Sequence, residues 1–442
     1  MSAAPRRLEL RRWSPETSVL RRMKGIAGVL VRGLGSVAIV LACLALAACG
    51  RVDEPTTGMY RALLELPGGD APFGLEVERA SGGYVLYLHN GSERTRVSDV
   101  TVQEGVLTAR FPGYENSLRA TLHRNEWKGA VTLIKAGGEE QVIPFRARLG
   151  QSYRFYDKPA TDNADVAGRW ELTLTDDEGV ATRAVAEFEQ HHDKVTGTVM
   201  TPTGDHRFLE GQVHGDELQL STFAGGLVYL YRLRVDEAGE LRGDYWQGLA
   251  WHEQVHGVRN PDAELPADLP VTTMREHESR LEFTFPDLDG KPISLSDERF
   301  AGKVVIVTLG GSWCPNCHDE ADFLAPFYRE YRDRGVEVVA LMFERHGDFA
   351  KAAAAARRFR DDLGIEYPML IAGVSDKDEA SRALPSLSGI FAFPTLLFVD
   401  RTGVVRKTHV GFAGPATGSR YETFVADFHA TVDALLAEPG VS

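Results

Sequence analysis

Short hydrophobic runs alternate with turn residues over positions 58–260. Typical runs are residues 84–89 (YVLYLH), which precede Asn90-Gly91, and residues 227–233 (LVYLYRL), which precede a Glu-Ala-Gly turn. Runs that are rich in β-branched and aromatic residues, and that Gly, Asn or Asp interrupts about every 8–12 residues, are typical of antiparallel sandwiches and meander barrels. The pattern therefore predicts an all-β region without helices.

The same region predicts an internal duplication, because three landmarks recur about 110 residues further along the chain. The matched pairs are residues 58–60 with 168–170, 107–111 with 218–223, and 127–129 with 241–243. Chance similarity between short alternating strands is the alternative explanation. The predicted units, of about eight strands each, are β-rich repeat 1 at residues 58–150, a linker at 151–167 and β-rich repeat 2 at 168–260.

The pattern changes after a linker at residues 261–279 that is rich in Pro, Asp and Glu. Residues 280–438 alternate between strand and helix signals, which is typical of an α/β sheet. The predicted elements are a hairpin over 283–296 with its turn at Asp289-Gly290, buried strands over 303–309, 336–342 and 395–399, and a helix over 349–363. The chain is thus expected to be multidomain, with duplicated antiparallel all-β units followed by an α/β domain.

The first 57 residues have the composition of an export signal. An apolar run at residues 33–48 follows several Arg and Lys residues and is short for a membrane span of about 20 residues. It ends in Leu-Ala-Ala-Cys49, which resembles the bacterial lipobox, so we expect a lipoprotein signal peptide at 1–48, lipidation of Cys49 and a tether at 49–57. An uncleaved N-terminal anchor is the alternative. Either interpretation places the protein in the bacterial cell envelope, facing the periplasm or the cell exterior.

The charge and the cysteine content limit the kinds of function that the chain can have. The chain of 442 residues carries a net charge of −14, and an acidic surface argues against nucleic-acid binding, which depends on Lys and Arg. Of the four cysteines, Cys43 and Cys49 belong to the export segment. Cys314 and Cys317 remain, and a single pair does not make a disulfide-stapled scaffold.

The sequence Cys314-Pro315-Asn316-Cys317 lies between a predicted buried strand and a helix. A helix N-terminus stabilises a thiolate, so Cys314 is predicted to be the nucleophile with its sulfur exposed to a partner. Cys317, one turn later and shielded, can attack the mixed disulfide that Cys314 forms. Half of a zinc site and an inert structural disulfide are the competing interpretations.

A second motif, His252-Glu253-Gln254-Val255-His256, matches the zinc-protease signature H-E-x-x-H. That chemistry needs a helix, on which histidines four residues apart share one face and bind the metal together. Here the motif lies in sequence with strand patterning, and alternation would place Glu253 on the opposite face from both histidines. We therefore predict a β-strand and no metal.

Two motifs carry a resemblance to a known family. Trp313-Cys314-Pro315-Asn316-Cys317 after a buried strand, and Phe393-Pro394-Thr395 before a late strand, resemble the thioredoxin superfamily and most closely its TlpA/ResA-like thiol-disulfide oxidoreductases. The resemblance covers residues 280–438. It implies that Pro394 is cis, that Trp313, Phe393 and Pro394 contact the substrate, and that Glu320 lies beneath the cysteines and assists proton transfer.

Some positions depart from the family pattern. Asp322 stands where the family usually has a proline, and Thr308 stands where thioredoxin has a buried aspartate, which strengthens the interpretation of Glu320 as the acid–base group rather than a solvated charge. His318 is expected to be exposed. A thiol peroxidase is disfavoured, because that chemistry needs a threonine and a proline where this chain has Gly311 and Val307.

The resemblance implies a membrane-anchored, extracytoplasmic protein disulfide reductase without a cofactor. Its expected partners are protein disulfide substrates and a membrane thiol-transfer reductant that recharges it, as in cytochrome c maturation. The Pro-Asn pair between the cysteines leaves the redox direction open. A thioredoxin-fold binding module without catalysis is the alternative function. The β-rich repeats hold no cysteine and are expected to be a spacer or docking surface.

Overall fold

The computed structural model describes residues 54–266 and 271–439. The predicted signal peptide, the lipidated Cys49 and the start of the tether lie outside this part of the chain. Within the described residues, no helix combines the length and apolar character that crossing a membrane requires. The described residues belong to one compact unit.

Residues 58–149 form an antiparallel sheet of nine strands, as their alternating pattern predicts. The strands are β1 Gly58–Leu66, β2 Gly69–Ala80, β3 Gly83–Asn90, β4 Glu93–Val97, β5 Asp99–Gln103, β6 Val106–Arg110, β7 Ser117–His123, β8 Glu126–Ile134 and β9 Glu140–Leu149. The first strand pairs with both β2 and β9, so the first and last strands are neighbours in the middle of the sheet. Its inward side chains include Tyr60 and Trp127, whose ring centroids are 4.7 Å apart.

A second antiparallel sheet covers residues 168–259. Its strands are β10 Gly168–Asp176, β11 Ala181–His191, β12 Lys194–Thr201, β13 Gly204–Asp205, β14 Leu209–His214, β15 Glu217–Phe223, β16 Val228–Val235, β17 Leu241–Gln247 and β18 Trp251–Arg259. Here too the first strand pairs with the last, and β11 pairs with β12, which closes the sheet. Each sheet thus has nine strands over its described range, one more than predicted.

The H-E-x-x-H motif lies on β18, so the prediction of a strand is confirmed. His252 contacts Asp177 and Asp244, whereas His256 contacts Glu240. Across residues 54–266 and 271–439, no cluster of three or more His, Cys, Asp or Glu side chains is placed to hold a metal ion.

The α/β domain follows with the alternation that its sequence predicts. Its elements are β19 Thr284–Pro286, β20 Pro292–Ser294, β21 Val304–Gly310, α1 Pro315–Tyr331, β22 Val336–Glu344, α2 Phe349–Asp362, β23 Met369–Val374, α3 Lys377–Ala383, β24 Thr395–Val399, β25 Val405–Val410 and α4 Ser419–Ala437. The main sheet has the order β23-β22-β21-β24-β25, with β21 parallel to β22 and antiparallel to β24. Every residue of β21 is buried, as expected of a central strand.

The two β sheets share part of one hydrophobic core. Phe223 on β15 is buried, and its ring lies 5.2 Å from the rings of both Phe73 on β2 and Phe111 after β6. Val228 and Leu230 of β16 belong to the same cluster. Apolar area buried between the sheets stabilises their mutual position at about 25 cal/mol per Å².

Replacing Phe223 with Ala is expected to lower the free energy of unfolding by about 3–5 kcal/mol, because it leaves a cavity between the two sheets. Chemical denaturation with tryptophan fluorescence measures the loss. Val180→Ala is the control, because Val180 is 59% exposed and should change stability by less than about 0.5 kcal/mol. A loss below about 1 kcal/mol for Phe223→Ala would contradict the shared core.

Candidate dithiol active site

The position of Cys314, the predicted nucleophile, is set by a tight connection between β21 and α1. Gly311 has no room for a side chain, since a Cβ there would lie 2.6 Å from the Phe343 carbonyl oxygen. Cys314 then caps the helix: its backbone is extended, and its sulfur accepts a hydrogen bond from the Cys317 N–H at 3.4 Å. Pro315 at the first helical position lacks an N–H that would otherwise need a partner. The predicted strand, turn and helix are thus present.

The cis-proline loop faces this cap. The Phe393–Pro394 peptide bond is cis, and the Phe393 carbonyl oxygen lies 3.5 Å from the Cys314 sulfur. Trp313 donates its indole N–H to the Phe343 carbonyl at 2.8 Å and meets the edge of the Phe393 ring at 5.9 Å. The predicted substrate-contact residues Trp313, Phe393 and Pro394 therefore lie together beside Cys314.

The two thiols are free and differ in surroundings. Cys317 is 4% exposed, and burial raises its pKa well above the ordinary thiol value. The hydrogen bond with Cys314 and the charges of Cys314 and Glu320 raise the Cys317 pKa further. Because a thiolate is the attacking species, Cys317 needs a proton acceptor before it can react.

Glu320 lies near Cys317 and is 2% exposed. Burial raises its pKa to about 8, although a hydrogen bond that the Thr308 hydroxyl donates to Oε2 lowers it. Its other oxygen, Oε1, accepts no hydrogen bond from any described residue. The alternative of a solvated surface charge is therefore wrong, and a carboxyl group with this pKa can exchange a proton near neutral pH.

Sequence reasoning missed a second buried carboxyl group, Glu344 at the end of β22. It accepts hydrogen bonds from the Ser312 N–H at 3.1 Å and from the Ser312 hydroxyl at 2.7 Å. Burial raises the Glu344 pKa to about 7. The next residue, Arg345, lies over the Trp313 ring at 4.1 Å. A signal was available, because the carboxyl ends of adjacent parallel strands meet at one edge of a sheet.

The expectation that His318 is exposed is wrong. His318 is 6% exposed, stacks on Tyr114 in the turn between β6 and β7 with ring centroids 3.7 Å apart, and donates from Nε2 to the Ser312 carbonyl at 2.8 Å. Burial lowers its pKa to about 3, so the ring is neutral. Sequence position alone could not reveal this, because the burying ring comes from a region some 200 residues away in the chain.

The exposed Cys314 sulfur and the spacer alternative for the β units are both wrong, because the β units lie against the dithiol, whereas the docking alternative stays a prediction. Cys314 is only 5% exposed, so its sulfur is not open to solvent. The β units do not stand apart as a spacer, since Asp205 and Arg207 contact residues of the Cys-Pro-Asn-Cys turn. Tyr114 and Tyr229 are close enough to Cys314 that its charge adds to the burial that raises their pKa values.

Comparison with known proteins assigns the α/β domain. Residues 276–424 match the Redoxin family model. The chain is 29% identical over 129 residues to the thiol-disulfide oxidoreductase ResA of Bacillus thuringiensis, a match that covers 29% of this chain and 66% of that relative. It is 28% identical over 137 residues to the ResA of Halalkalibacterium halodurans, and this match covers 31% of this chain and 69% of that relative. The chain thus spans about two thirds of the length of these relatives.

Solved structures also align with part of this chain. A thiol:disulfide interchange protein DsbE from Chlorobium tepidum aligns with 22% identity and a TM-score of 0.29, covering 37% of this chain and all of that one. A secreted thiol-disulfide isomerase from Corynebacterium glutamicum aligns with 22% identity and a TM-score of 0.30, covering 39% and 96%. The family match shows that residues 276–424 carry a redoxin domain, and the chain is similar to the ResA-type thiol-disulfide oxidoreductases of the thioredoxin superfamily.

Proposed function

We propose that this protein is a thiol-disulfide oxidoreductase that reduces disulfide bonds of protein substrates outside the cytoplasm. The observation that carries the proposal is the arrangement at the start of α1: Cys314 at the helix cap, and Cys317 buried behind it near Glu320. The similarity of residues 276–424 to ResA supports the same chemistry.

The reaction proceeds in two exchanges. The Cys314 thiolate attacks one sulfur of the substrate disulfide, forms a mixed disulfide and releases the other sulfur as a thiolate. Cys317 then passes its proton to Glu320 and attacks the Cys314 sulfur, which releases the second substrate sulfur. The substrate disulfide gains two electrons and leaves as two thiolates, which take up protons from Glu320 and water, while the dithiol is oxidised to a Cys314–Cys317 disulfide.

Repeated turnover needs a reductant for that disulfide. We propose a membrane thiol-transfer protein in this role, with this chain held beside it by a lipid on Cys49. The apolar run before Cys49 and the basic residues before that run support the anchor. An envelope location agrees with the chemistry, because disulfides persist in oxidising compartments.

We also infer that the two β units are copies of one ancestral unit. Residues 58–60 begin the first strand of the first β sheet, and the matching residues 168–170 begin the first strand of the second β sheet. The other two landmark pairs fall on the sixth and eighth strands of both sheets. Matching strand positions and matching pairing of first and last strands support the duplication.

The roles of the two cysteines predict different trapping behaviour. Cys317→Ser should keep the attack and block the second exchange, so that substrates stay joined to Cys314. Cys314→Ser should trap nothing, because Cys317 is buried and its pKa is raised. Non-reducing gels from the native compartment, followed by mass spectrometry, measure the trapped species. Equal trapping by both variants would refute this assignment.

The role of Glu320 predicts a change in the pH profile of the second exchange. In the unaltered protein, release of substrate from Cys314 should accelerate as pH rises towards 8, because the Glu320 carboxylate accepts the Cys317 proton. Glu320→Gln should remove that rise and slow release by about 10²-fold or more, with the first exchange unchanged. Stopped-flow kinetics with a disulfide peptide separates the exchanges. Asp322→Asn is the control carboxylate on the same helix.

The raised Glu320 pKa also predicts a stability change. The folded pKa of about 8 exceeds the ordinary value of 4.5, so folding favours the neutral acid, and this stability is lost as pH rises from 4.5 to 8. Glu320→Gln keeps a neutral side chain and should unfold with a free energy close to that of the unaltered protein at pH 4.5. Above pH 8 it should be more stable, on the order of a few kcal/mol. Equal stability at both pH values would show that Glu320 keeps its ordinary pKa.

A further inference from the structure

A turn of the second β sheet lies across the two residues that separate the cysteines. We call residues 201–207, which include β13, the capping loop. Asn316 donates its side-chain N–H to the Asp205 carbonyl oxygen at 3.2 Å and to Asp205 Oδ2 at 3.3 Å. Arg207 donates to the Pro315 carbonyl oxygen at 3.1 Å. Both residues of the Pro-Asn pair are therefore held by the capping loop.

The capping loop also covers the cis-proline side of the site. Asp205 Oδ2 accepts a hydrogen bond from the Gly414 N–H at 2.7 Å. A Cβ on Gly411 would lie 3.1 Å from the Thr203 carbonyl carbon, so the tip of the loop packs directly on the Gly411 backbone. The Gly411 N–H in turn donates to the Pro394 carbonyl at 2.9 Å. The loop thus packs on the segment after β25 that hydrogen-bonds to Pro394.

A buried charge network holds the loop in place. The Arg207 guanidinium pairs with Asp319 of α1 at 2.7 Å and with Glu93 of β4 at 2.6 Å, and all three side chains are largely buried. Burial lowers the Arg207 pKa, but the charges of Asp319 and Glu93 outweigh it and keep the pKa above its ordinary value. Removing one partner from such a network leaves an uncompensated buried charge. The position of the loop is therefore specific and depends on Arg207.

The covered state has a direct chemical consequence. Thiol exchange requires the attacking sulfur to reach a sulfur of the substrate. Cys314 is only 5% exposed, and Tyr114 and Tyr229 of the β units lie close enough to it to feel its charge. The loop has little pairing of its own, because β13 is two residues long and pairs only with the end of β12 within the described sheet. Side-chain contacts hold it instead, since His206 also bonds to the Tyr231 hydroxyl at 2.7 Å and stacks on Tyr229. Removing such a contact lowers the cost of opening the loop locally.

We propose that Asp205 and Arg207 are specificity-determining residues, which hold the capping loop over Cys314 so that a protein disulfide reacts only after it displaces the loop. This inference rests on the proposed reductase function and adds a size limit to it. A small reagent reaches Cys314 through local opening, whereas a bulky one requires the loop to move away.

Paired maleimide labelling of the reduced full-length protein tests the size limit. One probe is N-ethylmaleimide and the other carries the same maleimide on a long polyethylene glycol chain, with labelled peptides assigned by mass spectrometry. In the unaltered protein the bulky probe should label Cys314 far more slowly than the small one. Asp205→Ala and Arg207→Ala should each accelerate bulky labelling at least about tenfold, equivalent to about 1.4 kcal/mol of cap stability.

Three controls keep the result interpretable. Asp236→Ala removes a carboxylate that accepts the Ala238 and Glu240 N–H groups in an exposed turn away from the site, and it should leave labelling unchanged. Cys317 should stay unlabelled in every folded variant. Gly204→Ala pushes the loop outward without removing a charge, because its Cβ would lie 2.8 Å from Asn316 Cγ. If Arg207→Ala unfolds the protein, so that Cys317 also becomes labelled, Gly204→Ala tests the inference in its place.

Bulky labelling of the unaltered protein at the small-probe rate, or no acceleration in Asp205→Ala and Gly204→Ala, would overturn the inference. Labelling does not require turnover, so the two proposals fail separately. If the variants are labelled faster but Cys317→Ser traps no substrate, the reductase function is rejected and the inference about the capping loop stands. Trapping with unchanged labelling would reject the cap alone.

Discussion

The Arg207 guanidinium is the point on which the arrangement of the molecule depends. It lies between Glu93 of the first β sheet and Asp319 of the α/β domain, and its own residue belongs to the second β sheet. Three separately patterned regions thus meet at one buried cation. Buried charges are costly without partners, so this contact disfavours any other relative placement of the three regions.

Burial also determines how the dithiol can work. Both sulfurs are shielded, but they have different neighbours: Cys314 lies at the helix cap beside the Phe393 carbonyl, and Cys317 lies near Glu320. Shielding makes the Cys317 thiolate costly, so a carboxyl group with a pKa of about 8 is suited to take its proton. Exclusion of water makes an acid–base group necessary for Cys317. It also raises the pKa of Glu320 to a value at which this carboxyl group can exchange a proton near neutral pH.

The β units therefore act on the chemistry through the environment of the redoxin domain. Tyr114 stacks on His318, and the capping loop binds Pro315 and Asn316. None of these contacts supplies a reacting atom. They set the exposure of Cys314, which controls the size of the molecule that can reach it. The redoxin domain thus carries out the thiol exchange, and the β units determine which substrates reach it.

The local sequence pattern was sufficient to predict the strands, the turn at Asp289-Gly290 and the dithiol at the start of a helix. Each of these features depends on residues that are close in sequence. The family motifs also placed Pro394 and Glu320 beside the cysteines. The burial of His318 and the cover over Cys314 were decided by tertiary structure alone. Their partners, such as Tyr114 and Arg207, lie some 100–200 residues away, and the alternation of a strand says which face is buried but not which surface buries it.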